Sequence, residues 1–192
     1  MENLATTKLT VLKICHEIAN CLSIIKFLQD DIPLSNATEA NDFIKNIDLM
    51  SHTMDFFRNA YSMTIQPAST LNAIRNICNL KDIKLQIDPE LLPNNSNATL
   101  MNGVFVLLYI CTKISKSGDE IVVGGDQNPE HIIINNANSM QIPSDVVDAL
   151  NNETSNCSIF NIMSIYAKEL LRSVNYNVNI SVLNGILIKV WQ

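Results

Sequence analysis

No CxxC pair occurs among the five cysteines, Cys15, Cys21, Cys78, Cys111 and Cys157, and no histidine or cysteine stands beside them at ligand spacing. A metal knuckle and a disulfide framework are therefore excluded, and an odd set of thiols reads as small buried apolar groups in a reducing compartment. Runs of lysine and arginine are missing as well. With a formal net charge of −6 the chain would repel a phosphate backbone, so nucleic acid is not expected as a partner. Long apolar runs are also lacking: "VFVLLYIC", residues 104 to 111, is too short to cross a bilayer. Lys8, Lys13, His16 and Glu17 interrupt every apolar stretch near the N-terminus, which argues against a signal-peptide core. The expectation is a soluble, cytoplasmic protein with no membrane partner.

What is present is a globular composition, with 192 residues, 47% of them hydrophobic and 17% charged. Residues 4 to 31 read as one long helix, because Val11, Cys15, Ile18, Leu22, Ile25 and Leu28 recur at steps of mostly three and four. "DDIPLSNATEAND" breaks it at Pro33, and Asn36 followed by Glu39 resembles a capping box that opens a second helix. That helix carries Phe43, Ile47, Met50, Met54, Phe57 and Tyr61 in heptad-like spacing. Each helix would span about 40 Å at roughly 1.5 Å per residue, and an isolated hairpin of that length cannot cover its own apolar faces. An identical chain is the simplest partner, so the expectation is a homodimer built on a four-helix bundle.

Beyond the linker "MTIQPAST" the pattern changes. "LNAIRNICNL" reads as a helix, "IKLQID" as a strand, "ATLMNGVFVLLYICTKISKS" as a longer helix, and "DEIVVGG" and "EHIIINN" as two strands. "PSDVVDAL" and "SIFNIMSIYAKELLRSV" supply further helices, and "NVNISV" and "GILIKVW" form a terminal hairpin turning at Asn184-Gly185. The fold class is α+β, with segregated hairpins and no strict βαβ alternation.

Within the first helix, "KICHEIANCLSIIKFL" places His16 roughly 140° from the centre of the apolar stripe. Lys13, Asn20, Ser23 and Phe27 share that outward face. His16 is then either a solvated surface histidine or a nucleophile, since an exposed imidazole with a pKa near 6.5 is substantially neutral at pH 7 and offers a ring lone pair to phosphorus. Lys13 would offset phosphoryl charge, and Glu17 would orient the ring or accept its proton; as an i,i+4 pair they are equally an ordinary helix ion pair. His52 lacks an adjacent acid and His131 opens a strand, so both read as structural or solvated. Asp82, Asp88, Asp119 and Asp126 fall at strand edges and turns, where carboxylates serve local hydrogen bonds.

"HEIAN" at mid-helix of a long hairpin resembles the HExx(N/T) box of sensor histidine kinases, and the order of elements downstream looks like their ATP-binding domain. The proline that commonly follows that box is Cys21 here. Where a kinase helix carries metal-linked asparagines in a pattern like NLLxNAxK, the chain reads "VLLYICTK", with Val106 and Ile110 at those positions. Where it carries DxGxGIP, "ANSMQIP" has Ala137, Ser139 and Gln141 in place of the adenine-reading aspartate and the two glycines. "NETSNCSIFNIM" has no glycine for a lid.

A kinase-like hairpin on a degenerate ATPase-like α/β sandwich resembles the dimeric histidine phosphotransferases of alphaproteobacterial cell-cycle phosphorelays, the ChpT type. "FFRNAYS" also looks like a segment of that family. The resemblance implies a phosphotransfer and dimerisation domain at 1–64 and an ATPase-like domain without nucleotide boxes at 68–192. It implies that His16 takes phosphoryl from the receiver-domain aspartate of a hybrid kinase and passes it to a response regulator. The receiver would bring Mg²⁺, and the chain itself would need no cofactor. Glu17 and Asn20 would assist, Asn20 by orienting water or as a plain surface residue. Lys13, Ser23, Phe27 and Arg58 would form the receiver-docking surface; Phe27 is otherwise a packing residue, and Arg58 otherwise closes the bundle end. The alternatives are an ATP-dependent histidine kinase with unusual boxes and a non-enzymatic dimeric adaptor.

Overall fold

The computed structural model describes residues 11, 15, 18–20, 22, 23, 25, 37–62, 64, 66–89, 97–125, 132–136, 142–151, 162–182 and 185–192. They fall in two compact units, Met1–Leu80 and Lys81–Gln192.

The first unit is helical. Residues 11, 15, 18–20, 22, 23 and 25 have helical backbone, followed by α1 (Ala37–Ala60) and α2 (Pro67–Leu80). Cys15, Leu22 and Met54 form a buried apolar cluster with Val11 and Phe57 packed against it, which joins the N-terminal helical stretch to α1. The single stripe expected on that first stretch is divided. Cys15 and Leu22 lie inside, whereas Ile18 and Ile25 are each 37% exposed. The same holds on α1, where Met54 is 7% exposed and Met50 49%. The seam between two helices is narrower than an apolar stripe read at period 3.6, so one packed partner covers only its centre.

α1 packs against α2 as well. Phe56, Ala60 and Tyr61 are buried at its C-terminal end, with Phe56 and Phe57 edge to face at 5.5 Å between ring centroids. The expected linker at 63–70 is shorter than the sequence suggested, because Pro67 starts α2. Proline suits the first helical position, where its missing N–H would be unbonded anyway. Gln66 precedes it: the backbone N–H of Thr70 donates to the Gln66 carbonyl at 3.1 Å, and Ser69 Oγ donates to Gln66 Oε1 at 3.3 Å. Thr70, Leu71, Ala73, Ile74, Ile77 and Cys78 form its buried face.

In the second unit five strands make one mixed sheet in the order β1-β2-β3-β5-β4: β1 (Lys84–Ile87), β2 (Glu120–Gly125), β3 (Ile132–Asn136), β4 (Asn177–Val182) and β5 (Ile186–Trp191). β1 pairs with β2 in parallel, and every other pairing is antiparallel. Helix α3 (Ala98–Ile114) lies between β1 and β2 in the chain and is the crossover that a parallel pair requires. One sheet face is apolar, with Ile121, Val123, Ile132, Ile134, Val178, Ile180, Ile186, Ile188 and Val190 all buried. α4 (Ser144–Asn151) and α5 (Ile162–Arg172) pack on β4, and α5 packs on α3.

Every residue of α3 from Leu100 to Thr112 is buried, so this helix is enclosed rather than amphipathic. Asn97 caps its start, accepting from the Leu100 N–H at 3.0 Å. At its other end Lys81 Nζ donates to the carbonyls of Thr112 and Ser115, a cation on the unpaired C-terminal carbonyls. Gly103 admits α5: a Cβ there would sit 2.9 Å from Leu171 Cδ2. The edge strand β4 is closed by a side chain. Asn151 Nδ2 donates to the Ile180 carbonyl at 2.9 Å while its Oδ1 accepts from the Ile180 N–H at 2.8 Å, as a neighbouring strand would.

Candidate phosphotransfer site

His16, Lys13, Glu17 and Phe27 lie outside the described residues. Asn20, Ser23 and Arg58 are within them. All three are exposed. Asn20 and Ser23 have helical backbone, and Ser23 Oγ donates to the Ala19 carbonyl one turn back at 2.9 Å. Arg58 occupies the last turn of α1. Its predecessor Phe57 packs on the cluster that contains Cys15. Burial pushes the Cys15 thiol up from its ordinary value of 9.0, and the Arg58 charge pulls the other way. Arg58 is therefore within electrostatic reach of the residue that precedes His16 in the chain. Its side of the helix pair was not legible from heptad spacing, because Arg58 falls between heptad positions.

His52, read as structural or solvated, is half-buried in α1; its Nδ1 lies 3.4 Å from Asn76 Nδ2 on α2 and 3.9 Å from Asp55 Oδ2. His131 and Asp126 are outside the described residues. Asp82 and Asp119 serve the turn before β2: Asp82 Oδ2 accepts from Ser117 Oγ at 2.9 Å, and Asp119 Oδ2 accepts from the Lys116 N–H at 2.8 Å. Asp82 itself has φ of 56°, a left-handed position that aspartate tolerates. Cys15, Cys78 and Cys111 are buried and not in disulfides; Cys21 and Cys157 are outside the described residues.

The positions where a kinase would carry metal-linked asparagines belong to the core of the second unit, with Val106 at 0% and Ile110 at 7% exposure. Of the two segments that the resemblance sets against the other nucleotide boxes, 137–143 and 152–163, residues 137–141 and 152–161 lie outside the described residues. Among the described residues no group of three or more His, Cys, Asp or Glu is placed to hold a metal ion, and no helix is long and apolar enough to cross a membrane.

Neither a protein-family model nor a curated protein matches the sequence. Solved structures do. The chain is similar to a bacterial phosphotransferase with a TM-score of 0.65 at 10% identity, over 99% of this chain and 96% of that one. It also aligns with the histidine kinase domain of a blue-light-activated kinase from Erythrobacter litoralis, at TM-score 0.48 and 10% identity over 90% and 94% of the two chains. A mycobacterial sensor histidine kinase, MprB, aligns at 0.45 and 13% identity over 65% of this chain and 90% of that one. Across almost its entire length, the chain has the fold of the bacterial phosphotransferase.

Proposed function

We propose that the protein is a histidine phosphotransferase that relays phosphoryl between receiver domains through His16. The observation that carries this reading is the end-to-end likeness to a bacterial phosphotransferase, in a chain whose helical unit contains "HEIAN". On a helical wheel His16 falls between Asn20 and Ser23, and both of those are exposed. A neutral imidazole nitrogen attacks phosphorus, the aspartyl O–P bond of the donor receiver breaks, and its carboxylate leaves. The second transfer runs the same exchange onto another receiver aspartate. Glu17 orients the ring or takes its N–H proton, Lys13 offsets phosphoryl charge, and Asn20, Ser23, Phe27 and Arg58 meet the receiver.

Each receiver brings its own Mg²⁺, so the chain holds no cofactor in this reading and acts in the cytoplasm. The division of labour is a dimerisation and transfer domain at 1–64 and an ATPase-like domain at 68–192 that has lost nucleotide binding. Burial of the apolar Val106 and Ile110 supports that loss, since a Mg-nucleotide needs open polar ligands at those places. The functional unit is a homodimer.

The test follows radiolabel from a receiver domain phosphorylated with acetyl phosphate to this chain and on to a second receiver. His16→Ala abolishes both steps with unchanged circular dichroism, because the wheel groups it with the exposed Asn20 and Ser23, and substitutions on such a face contribute little to stability. His52→Ala is nearly silent. Label retained by the His16 variant, or lost only from the His52 variant, would assign the wrong histidine.

A further inference from the structure

In the second unit β4 stands at one end of the sheet order and β1 at the other, so each has one side without a neighbouring strand among the described residues. The two edges are guarded differently. β1 is four residues long, opens on the exposed Lys84 and is followed directly by Asp88-Pro89. A short strand, a charge and a proline are each devices that stop another chain from adding to an edge. β4 has none of them. Its six residues, "NVNISV", include no charge, proline or glycine and carry Val178, Ile180 and Val182, the composition of segments that pair with copies of themselves.

The guard on β4 comes from α4. The Ile180 N–H and carbonyl both point off the sheet, where Asn151 accepts from the first at 2.8 Å and donates to the second at 2.9 Å. A primary amide offers donor and acceptor side by side, as a peptide group of an adjoining strand does. Backbone groups alternate along a strand, so Val178 and Val182 direct theirs the same way, and Asn151 occupies the middle of that outward row. It is held there at the C-terminal end of α4, which packs on β4. Lys168 Nζ of α5, with that residue only 8% exposed, donates to the Ala149 carbonyl at 3.0 Å and fixes the same end.

We propose that Asn151 is a gate that keeps the β4 edge of one chain from pairing with the β4 edge of a second copy. Two such edges would meet antiparallel about a twofold axis and fuse two five-stranded sheets into one continuous sheet. In the homodimer proposed above, that added isologous contact would link dimers into open strings, which is the hazard the gate removes. The gate itself does not rest on the phosphotransfer reading.

The test compares full-length variants by light scattering over a range of concentrations, with circular dichroism to confirm that each is folded. Asn151→Ala frees the Ile180 groups, and its mass rises with concentration to about twofold that of wild type or more, since each isologous contact joins two equal bodies. Asn151→Asp also loses the donor to the Ile180 carbonyl, yet it leaves a charge on the edge and keeps the wild-type mass. Adding Val182→Lys to Asn151→Ala charges the same edge at a side chain already 36% exposed, and returns the mass to that of wild type. Wild-type mass for Asn151→Ala at every concentration would overturn the proposal. Equal association of Asn151→Ala and Asn151→Asp would do the same by pointing to lost stability, as would association that Val182→Lys leaves unchanged, by putting the contact elsewhere. In wild type the Ile180 amide exchanges slowly with deuterated solvent although it points off the sheet; rapid exchange would show that Asn151 does not hold it, whatever the variants do.

Discussion

Cys15 shows how a single position couples packing to titration. Its thiol is buried beside Leu22 and Met54, and desolvation, partly offset by Arg58, raises its pKa. The folded value lies above the unfolded one, so the folded chain keeps the proton where the unfolded chain ionises. This contribution to stability is fully present below about pH 9 and is lost as pH rises through the folded value. Urea midpoints should therefore fall between pH 8 and pH 10, and Cys15→Ala should remove part of that fall. At pH 8 the Cys15 peptide, followed by mass spectrometry, should alkylate with iodoacetamide roughly an order of magnitude more slowly in native than in urea-unfolded protein. Similar native and unfolded rates would mean that the cluster opens readily. The outward placement of Asn20 and Ser23 was legible in the sequence, since helical periodicity alone sets which residues share a face. The electrostatic reach of Arg58 to Cys15 was not, because it depends on which part of α1 lies beside which part of the preceding helix.

At the scale of elements, the approach of α3 to α5 turns on one absent side chain. Gly103→Ala gains about 1 kcal/mol of helix propensity, yet the new Cβ would stand 2.9 Å from both Leu171 Cγ and Cδ2. Overpacking of this kind costs roughly 1–3 kcal/mol, so the expected net effect is a loss of about 1 kcal/mol, read from urea unfolding. A stabilised variant would show that Leu171 has room to move. Nothing in "LMNGVFV" reveals this constraint, because the sequence pattern says that the helix is buried and not what it meets. β4 and β5 were readable nearly to the residue, since alternation of polar and apolar side chains announces a half-buried strand. The start of α2 at Pro67 was read four residues late, with proline taken as a linker residue when it fills a first helical position.

For the whole molecule, the exposed flank of Ile18, Ile25 and Met50 is the surface that the proposed homodimer would cover. It separates two methionines that heptad spacing treats alike. Met50→Lys should leave the chain folded and monomeric by light scattering, since Met50 is exposed within one chain. Met54→Lys should instead unfold the helical unit or make it insoluble, because it drives a charge into the cluster with Cys15 and Leu22. A dimer of unchanged mass in Met50→Lys would place the interface elsewhere.

By itself the sequence determined the helix-then-α+β order, the strands of the terminal hairpin, the apolar residue types at 106 and 110, and the candidate histidine. Each of these follows from local periodicity and residue type, which act within a few residues along the chain. Only the tertiary structure decided that β1 runs parallel to β2, that Asn151 closes the edge at Ile180, that Ile18, Ile25 and Met50 stay exposed beside buried members of the same stripes, and that Arg58 acts on Cys15. These are relations between segments distant in sequence, set by which surfaces meet when the chain buries its apolar area.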